Sequence, residues 1–416
     1  MQSTMQEIFG QHFADYATGR RLHSRELRAA HAIMDCHTAA LGGQVLSCPQ
    51  GHSRFTRFHA CHHRSCPGCA ERPRQQWAEQ ELQRLLPCSH FHVVFTLPHD
   101  FLALWAANRV RMATLLFDSA RESLLALCAD KRHLGATPGL LMAMHTWGRT
   151  LSQHPHVHCL VSAGGVDPEG QWCASRSSYL VPVKALAALF RGKLLHQLSR
   201  DLQDGRLALP AQQDLTLLLQ LIRKQYRQHW NVQLSEPYAH GRGVALYLAR
   251  YAKGGPLPVD RPLKHDGQAV SFGYTDHHDN RRKTLRLSAG DFIARILWHA
   301  PPSRQHMVRH AGLYASSAKA HHRRCFRHLQ PQVMPSSPVA LSASLAVPTP
   351  QCPQCQQPMV LVQTLPPSHR FGEISLPAPD GELLTSGSTS QWNGQSPATD
   401  IAASLRPFLG RRLPLT

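Results

Sequence analysis

The stretch Ser152-Gln153-His154-Pro155-His156-Val157-His158-Cys159-Leu160-Val161 constrains this chain more than any other. Val157, Cys159 and Val161 alternate with His156 and His158, the period of two that marks a β-strand. Strand side chains leave alternately to opposite faces, so both histidines share one face and Val157 takes the other. Two imidazoles about 7 Å apart along a backbone can converge on one divalent cation. In a chain with 29 histidines, an isolated pair of this kind is ordinarily just part of a half-buried strand. The surrounding residues decide between these readings.

Phe91-His92-Val93-Val94-Phe95-Thr96-Leu97, closed by Pro98, predicts one further strand, and Leu140 to Trp147 another. Only Gly148 to Ser152 separates the latter from the histidine strand, which predicts a hairpin. If His145 stands opposite His156, both side chains leave by the same face. His145 is therefore the candidate third ligand, with Gln153 in reserve, because a one-residue slip of register would turn His145 away. Residues 20–40 carry Leu22, Leu27, Ala30, Ile33 and Met34 at helical spacing, and residues 73–86 carry Trp77, Leu82, Leu85 and Leu86 on one helix face. Helical pattern also runs from Phe101 to about Ala129, and from Val183 to about Gln225 with breaks at Gly205 and Pro210. The segment from Gly164-Gly165 to Tyr179 suggests one more strand. Ala269 to Tyr274 and Lys283 to Leu287 read as paired strands, and Phe292 to His299 as a short helix.

A second constraint comes from cysteine. The chain holds 12, and Met1 to Arg20 is mixed and polar, without a signal peptide or lipidation motif. No apolar run approaches the roughly 18 residues that cross a bilayer. A reducing cytoplasm is the expected compartment, where spaced cysteines suggest metal before disulfide. Cys66-Pro67-Gly68-Cys69 is a knuckle that aims two thiolates at one zinc ion. With Cys48 and Cys61 it gives four cysteines within 22 positions, and His52, His59 and Cys36 are further candidates. Four protein ligands leave no open position, so such a site is structural. Cys352-Pro353-Gln354-Cys355 is half of a zinc ribbon with no second cysteine pair after it: either Cys325 or a histidine completes it or the site is decayed, and the balance leans to no metal there.

Lys and Arg number 45 against 26 Asp and Glu, a formal charge of +19 with histidine neutral. That excess points to a polyanion, with nucleic acid as the default partner. His62, His63, Arg64, Arg72 and Arg74 flank the zinc knuckle, and Arg281-Arg282-Lys283 makes a basic corner. Gly243-Val244-Ala245-Leu246-Tyr247-Leu248-Ala249-Arg250-Tyr251-Ala252-Lys253-Gly254-Gly255 is helical sequence ended by glycines. Tyr247 and Tyr251 stand four residues apart on one helix face. Most aromatic pairs at that spacing are core packing. Arg250 and Lys253 beside them suit a phosphate better than a core.

Together these features define a chemistry. A phenol, with pKa about 10, is a weak nucleophile unless activated. A divalent cation on His156 and His158 would polarise a phosphodiester and orient it for in-line attack by tyrosine. The product would be a 5′-phosphotyrosyl link and a free 3′-hydroxyl. Because the link conserves the bond energy, later strand transfer needs no ATP. A second tyrosine could accept a second DNA end.

The chain resembles the HUH-endonuclease transposases of rolling-circle insertion sequences, the IS91 family. The resemblance covers most of residues 20–320. Its residues are Cys36 to Gly43, the cluster ending at Cys69, His145-Thr146-Trp147-Gly148, His154-Pro155-His156-Val157-His158-Cys159-Leu160 with Gly164-Gly165, Tyr247-Leu248-Ala249-Arg250-Tyr251, and Arg309-His310-Ala311-Gly312-Leu313. It implies that His156 and His158 are the histidine pair and that Tyr247 and Tyr251 are the nucleophiles. Some relatives use one tyrosine matching Tyr251, which ranks it first. Mg²⁺ or Mn²⁺ is the implied catalytic ion, Zn²⁺ the structural one, and single-stranded DNA at element ends the substrate. No Walker-type phosphate loop is present, so unwinding would fall to host replication and helicase machinery.

The implied fold is α+β: a central antiparallel sheet flanked by helices, with the histidines on a middle strand. A zinc-binding, DNA-binding domain is expected over residues 1–88 and the catalytic domain over 89–325, with a helical insertion near 183–235. A low-complexity tail, expected to be disordered, covers 326–416. The sequence departs from the family at Cys48, followed by Pro49-Gln50-Gly51-His52 where a second cysteine is usual, and at His37, where the family often has Arg. Rival readings are a plasmid replication initiator or relaxase with the same chemistry, a non-catalytic zinc DNA-binding protein, and a zinc hydrolase using His145, His156 and His158.

Overall fold

The computed structural model describes residues 2–176, 178–238, 248–249, 253–276, 279–330 and 349–368. The first part of the chain runs β1 (Gln2–Ser3), α1 (Met5–Ala17), α2 (Ser24–Asp35), β2 (Gly43–Ser47), β3 (Arg54–Phe58) and α3 (Pro67–Arg84). Next come β4 (His90–Thr96), α4 (Leu102–Ala107), α5 (Arg109–Ala129), β5 (Thr137–Trp147), β6 (Gln153–Val166), β7 (Trp172–Ala174), α6 (Val183–Gln203), α7 (Leu215–Gln225) and β8 (Val232–Leu234). The last elements are β9 (Leu263–His265), β10 (Ala269–Thr275), β11 (Arg282–Ser288), α8 (Ala289–Leu297), β12 (Val308–Gly312), α9 (Lys319–Leu329) and β13 (Val360–Leu365). The architecture is α+β, and every strand pairing among the described residues is antiparallel.

The central sheet has the order β12-β5-β6-β4-β8, with β7 added at the far end of β6. Alternation divides its two faces. Phe91, Val93 and Phe95 of β4, Leu140, Met142 and Met144 of β5, and Val157, Cys159 and Val161 of β6 point into one core. Leu116 and Phe117 of α5 and Phe190 and Leu194 of α6 cover them. Each such side chain, fully withdrawn from water, contributes about 2 kcal/mol. Asp201 of α6, fully buried, receives both Arg111 of α5 and Arg206, which locks the two helices together.

The opposite face carries Leu141, Ala143 and Leu160, packed against Trp77, Leu85 and Leu86 at the end of α3 and against Leu248, Ala249, Leu313 and Tyr314. Tyr314 donates its hydroxyl proton to His90 Nε2 at 2.6 Å and accepts the Leu86 N–H at 3.1 Å. His90 Nδ1–H in turn donates to the Cys88 carbonyl. Gly139 makes room for this ring, since a Cβ there would lie 2.8 Å from Tyr314. The tyrosine closes the expected Arg309-to-Leu313 motif, of which β12 was not anticipated as a strand. Arg309 ties β12 back to α5 through Asp118 and Thr114, over the Phe117 ring.

A second sheet has the order β1-β9-β10-β11 and shares a core with α1, α2 and α8. Ile8, Phe9, Ala30 and Ile33 meet Val270, Phe272, Phe292 and Ile296 there. Residues 2–35, expected to belong with the cysteines, also pack against residues 257–300. The third sheet, β13-β2-β3, lies in part within the expected tail: residues 349–368 carry β13, which pairs with β2. Residues 326–329 of that tail end α9, and 331–348 and 369–416 lie outside the described residues.

Two outcomes follow. Gly312 has φ +56°, and a Cβ there would overlap the Pro138 carbonyl oxygen. Gly312→Ala should cost about 3 kcal/mol from left-handed backbone plus overlap, read as a lowered urea midpoint. Burial pushes His90 down from 6.5 to about 4. Above 6.5 both folded and unfolded chains hold it neutral. Below that, the unfolded chain takes up a proton that the folded chain refuses, so stability falls toward pH 4 by up to about 1.4 kcal/mol per pH unit. His90→Gln should flatten that slope in denaturation curves recorded between pH 7 and 4.5.

Candidate functional site

The hairpin register sets His145 directly opposite His156, and Ala143 opposite His158. His145, His156 and His158 therefore leave the central sheet by one face. Their ring centroids lie 4.0 Å (His145–His158), 4.7 Å (His156–His158) and 5.1 Å (His145–His156) apart. One ring nitrogen from each falls within 4.8 Å of the other two. Gln153, the reserve ligand, begins β6 opposite Trp147.

Neighbouring groups orient the rings. His156 Nδ1–H donates to the His154 carbonyl, which leaves the lone pair on Nε2. His158 Nδ1 stands 2.8 Å from His92 Nε2, with the two rings stacked at 5.0 Å. Trp147 stacks on His145 and also meets the buried His299. His299 donates Nε2–H to the Leu151 carbonyl and accepts from Thr146, so it fixes the hairpin turn. Burial first, and the neighbouring imidazoles second, push His145 and His158 well below the usual histidine range and His156 to about 3. All three are neutral at physiological pH, the form that ligates metal. Three neutral nitrogens on one face fit a divalent cation that keeps further positions open.

Positive charge surrounds this face. Arg64 is half-buried and donates to the Gly254 carbonyl at 3.2 Å. It is near enough to help depress His145. Arg64, Trp77, Lys253, Met307, Val308 and His310 line a cleft of about 420 Å³. Tyr247, Arg250 and Tyr251 lie outside the described residues. Leu248 and Ala249, between them, pack on Leu141, Ala143 and Leu160 of the histidine-bearing face. Arg281 and Arg282 are exposed at the β10–β11 turn. Arg282 pairs with Thr275, whose carbonyl accepts from Arg149 of the histidine hairpin's turn, so this basic corner borders the hairpin.

The cysteines sort differently from expectation. Cys36, Cys61, Cys66 and Cys69 form one cluster, and Cys48 is not among them. Cys36 caps the end of α2, Cys61 follows β3, and Cys66 caps the start of α3 with Pro67 in its first turn. The Cys69 sulfur lies 3.4 Å from that of Cys36 and 3.6 Å from that of Cys61. Thiolates about 2.3 Å from a tetrahedral zinc stand about 3.8 Å apart, so this set fits the ion. A hydrogen bond from Cys61, with the helix start beside it, holds Cys66 down to about 5. Cys48 and His52 lie instead with Cys352 and Cys355. The reason is the β2–β3 hairpin: its five-residue strands put Cys48 at the turn and Cys61 beyond the open end, about 15 Å away.

Sequence reasoning gave no role to His92 or Arg64 in this site. The signal for His92 was present, since antiparallel pairing of its strand with the histidine strand puts His92 on the histidine face. Arg64 is brought there by the cysteine cluster, which no local pattern reveals.

Residues 139–322 match the family described as a putative transposase, and residues 8–97 match the transposase zinc-binding domain, which contains the whole Cys36 cluster. A putative transposase, y4qJ, of Sinorhizobium fredii is 36% identical over 298 residues, covering 70% of this chain and 75% of the relative. The transposase for insertion sequence element IS801 of Pseudomonas savastanoi pv. phaseolicola is 32% identical over 301 residues, covering 71% and 72%. No solved structure matches. Identity sustained over most of each chain defines an insertion-sequence transposase. The chain belongs to the IS91 family of these proteins.

Cys36→Ser should weaken zinc binding by the full-length protein about a hundredfold or more, measured by competition with a chromophoric chelator. Cys88→Ser, outside both clusters, should leave it unchanged.

Proposed function

We propose that this transposase cuts and rejoins single-stranded DNA at its element's ends through a 5′-phosphotyrosyl intermediate, as an HUH endonuclease of the rolling-circle type. The observation that carries this reading is the placement of Leu248 and Ala249. They lie in one buried cluster with Leu141, Ala143 and Leu160, on the sheet face from which His145, His156 and His158 emerge.

A divalent cation, Mg²⁺ or Mn²⁺, held by these three imidazoles supplies a Lewis acid for a non-bridging phosphate oxygen. The protein's own groups do the rest. His156 is aimed by the His154 carbonyl and His158 by His92. Arg64 and Lys253 in the adjoining cleft, with Arg250, attract and hold the phosphate backbone. The Tyr251 oxygen attacks phosphorus and loses its proton. The bond from phosphorus to the 3′-oxygen breaks, and that oxygen leaves as a hydroxyl. Tyr247 repeats the step on a second strand while Tyr251 is occupied. Attack by the free 3′-hydroxyl reverses the chemistry and joins the strands. Arg281 and Arg282, bordering the hairpin turn, guide DNA toward the site.

The zinc-binding domain favours a transposase over a plasmid replication initiator or relaxase using the same steps. The purified protein, mixed with labelled single-stranded end DNA and Mg²⁺ or Mn²⁺, should give an adduct that survives boiling in detergent. Tyr251→Phe should cut the adduct more than Tyr247→Phe does, the double variant should abolish it, and His156→Ala/His158→Ala should slow cleavage about a hundredfold or more. Metal-dependent cleavage without any adduct would sink the tyrosine mechanism in favour of hydrolysis. Binding to an authentic end without cleavage would leave a non-catalytic zinc DNA-binding protein.

A further inference from the structure

Cys48, His52, Cys352 and Cys355 converge although some 300 residues separate the two pairs. The Cys48 sulfur lies 3.5 Å from that of Cys355 and 3.7 Å from His52 Nδ1. The Cys352 sulfur is 3.4 Å from the Ser53 hydroxyl, beside His52. Cys48 and Cys352 are 3% and 1% exposed.

The two halves are built alike. Cys48 N–H donates to the carbonyl of Ser53, and Cys352 N–H to that of Gln357, each five residues ahead. The Cys48 carbonyl accepts from Gly51, and the Cys352 carbonyl from Gln356. Gly51 has φ +74° and Gln356 φ +57°, so each turn reverses through one left-handed residue. Gln50 N–H points at the Cys48 sulfur at 3.4 Å, a contact that favours a thiolate. Each turn is thus a knuckle, and the two face one another.

We infer that Cys48, His52, Cys352 and Cys355 bind a second structural zinc ion, which fastens residues 349–368 to the N-terminal β2–β3 hairpin. Three thiolates and one imidazole at tetrahedral spacing suit zinc and leave no open position. Beyond the β13–β2 ladder, the attached segment has little apolar contact to hold it. Its apolar core is Leu46, Met359 and the cysteines themselves, while Val360, Leu361 and Val362 of β13 are about half exposed. So small a core does not support a fold without a metal or a disulfide. The hairpin is shaped to receive the segment: at Gly42, φ +72°, a Cβ would lie 2.5 Å from the Leu365 carbonyl. His52, which departs from the cysteine usual at this knuckle, becomes the nitrogen ligand of the set.

The test counts zinc by elemental analysis on full-length protein carrying His156→Ala/His158→Ala, so that the histidine face contributes none. Two ions per chain are expected, falling to one in Cys352→Ser/Cys355→Ser. One ion in the parent, or two retained in the cysteine variant, would overturn the assignment. His52→Cys supplies a check that does not depend on deleting a ligand. In the cobalt-substituted protein it should keep two ions and raise the thiolate charge-transfer absorbance by one sulfur's share. An unchanged spectrum would place His52 outside the coordination shell and refute the site as drawn.

Discussion

Everything in this protein follows from a strand that is buried on both sides. β6 must present hydrocarbon to the helices beneath it and imidazole to the layer above, and alternation lets one sequence do both. The upper layer must itself be dry, because burial is what keeps the imidazoles neutral. The cover over that face is therefore as much a part of the site as the histidines. It comes from the end of α3, from Tyr314 after β12, and from Leu248 and Ala249. Elements far apart in sequence serve one electrostatic requirement.

The cysteine region answers to a different constraint. The hairpin of β2 and β3 and the helix ends around it contribute few apolar residues to any core. Arg54, Phe55 and Thr56 are all exposed. Where hydrocarbon is scarce, coordination can supply the cohesion. The Cys36 cluster joins the end of α2 to the start of α3 and so fixes the direction in which α3 enters the histidine face. Arg64, five residues before Cys69, is thereby held on the histidine side of that junction. A structural metal in the family's zinc-binding domain thus bears on the geometry of the putative transposase domain next to it.

Local pattern revealed what local physics decides. The histidine hairpin, the strand at Phe91 and the turn at Cys66-Pro67-Gly68-Cys69 were legible, because alternation and turn chemistry act within a few residues, whereas the helix expected over residues 73–86 opens earlier, at Pro67. The opposition of His145 and His156 needed only a short turn. Ligand partition was not legible. Cys36 and Cys48 look equivalent in sequence, and the length of a hairpin sends them to opposite ends. Nor was β12 visible, since Val308-Arg309-His310-Ala311-Gly312 lacks alternation and becomes a strand only by pairing with β5. The sharing of one core by α1, α2 and residues 257–300 is a matter of tertiary packing that no periodicity encodes. The roles of Tyr247 and Tyr251 rest on chemistry and resemblance, as those residues lie outside the described structure.

The pairing of β1 with β9 has a consequence for how the molecule is made. The apolar faces of α1 and α2 find their partners only when residues 257–297 exist. At ordinary rates of translation the interval is on the order of ten to fifty seconds. For that time α1 and α2 carry Ile8, Phe9 and Ile33 with most of their core partners still unmade. The nascent chain is a natural client for chaperones that shield hydrocarbon. The β1-β9-β10-β11 sheet and its core close only when residues 257–297 have been made and fold back over α1 and α2.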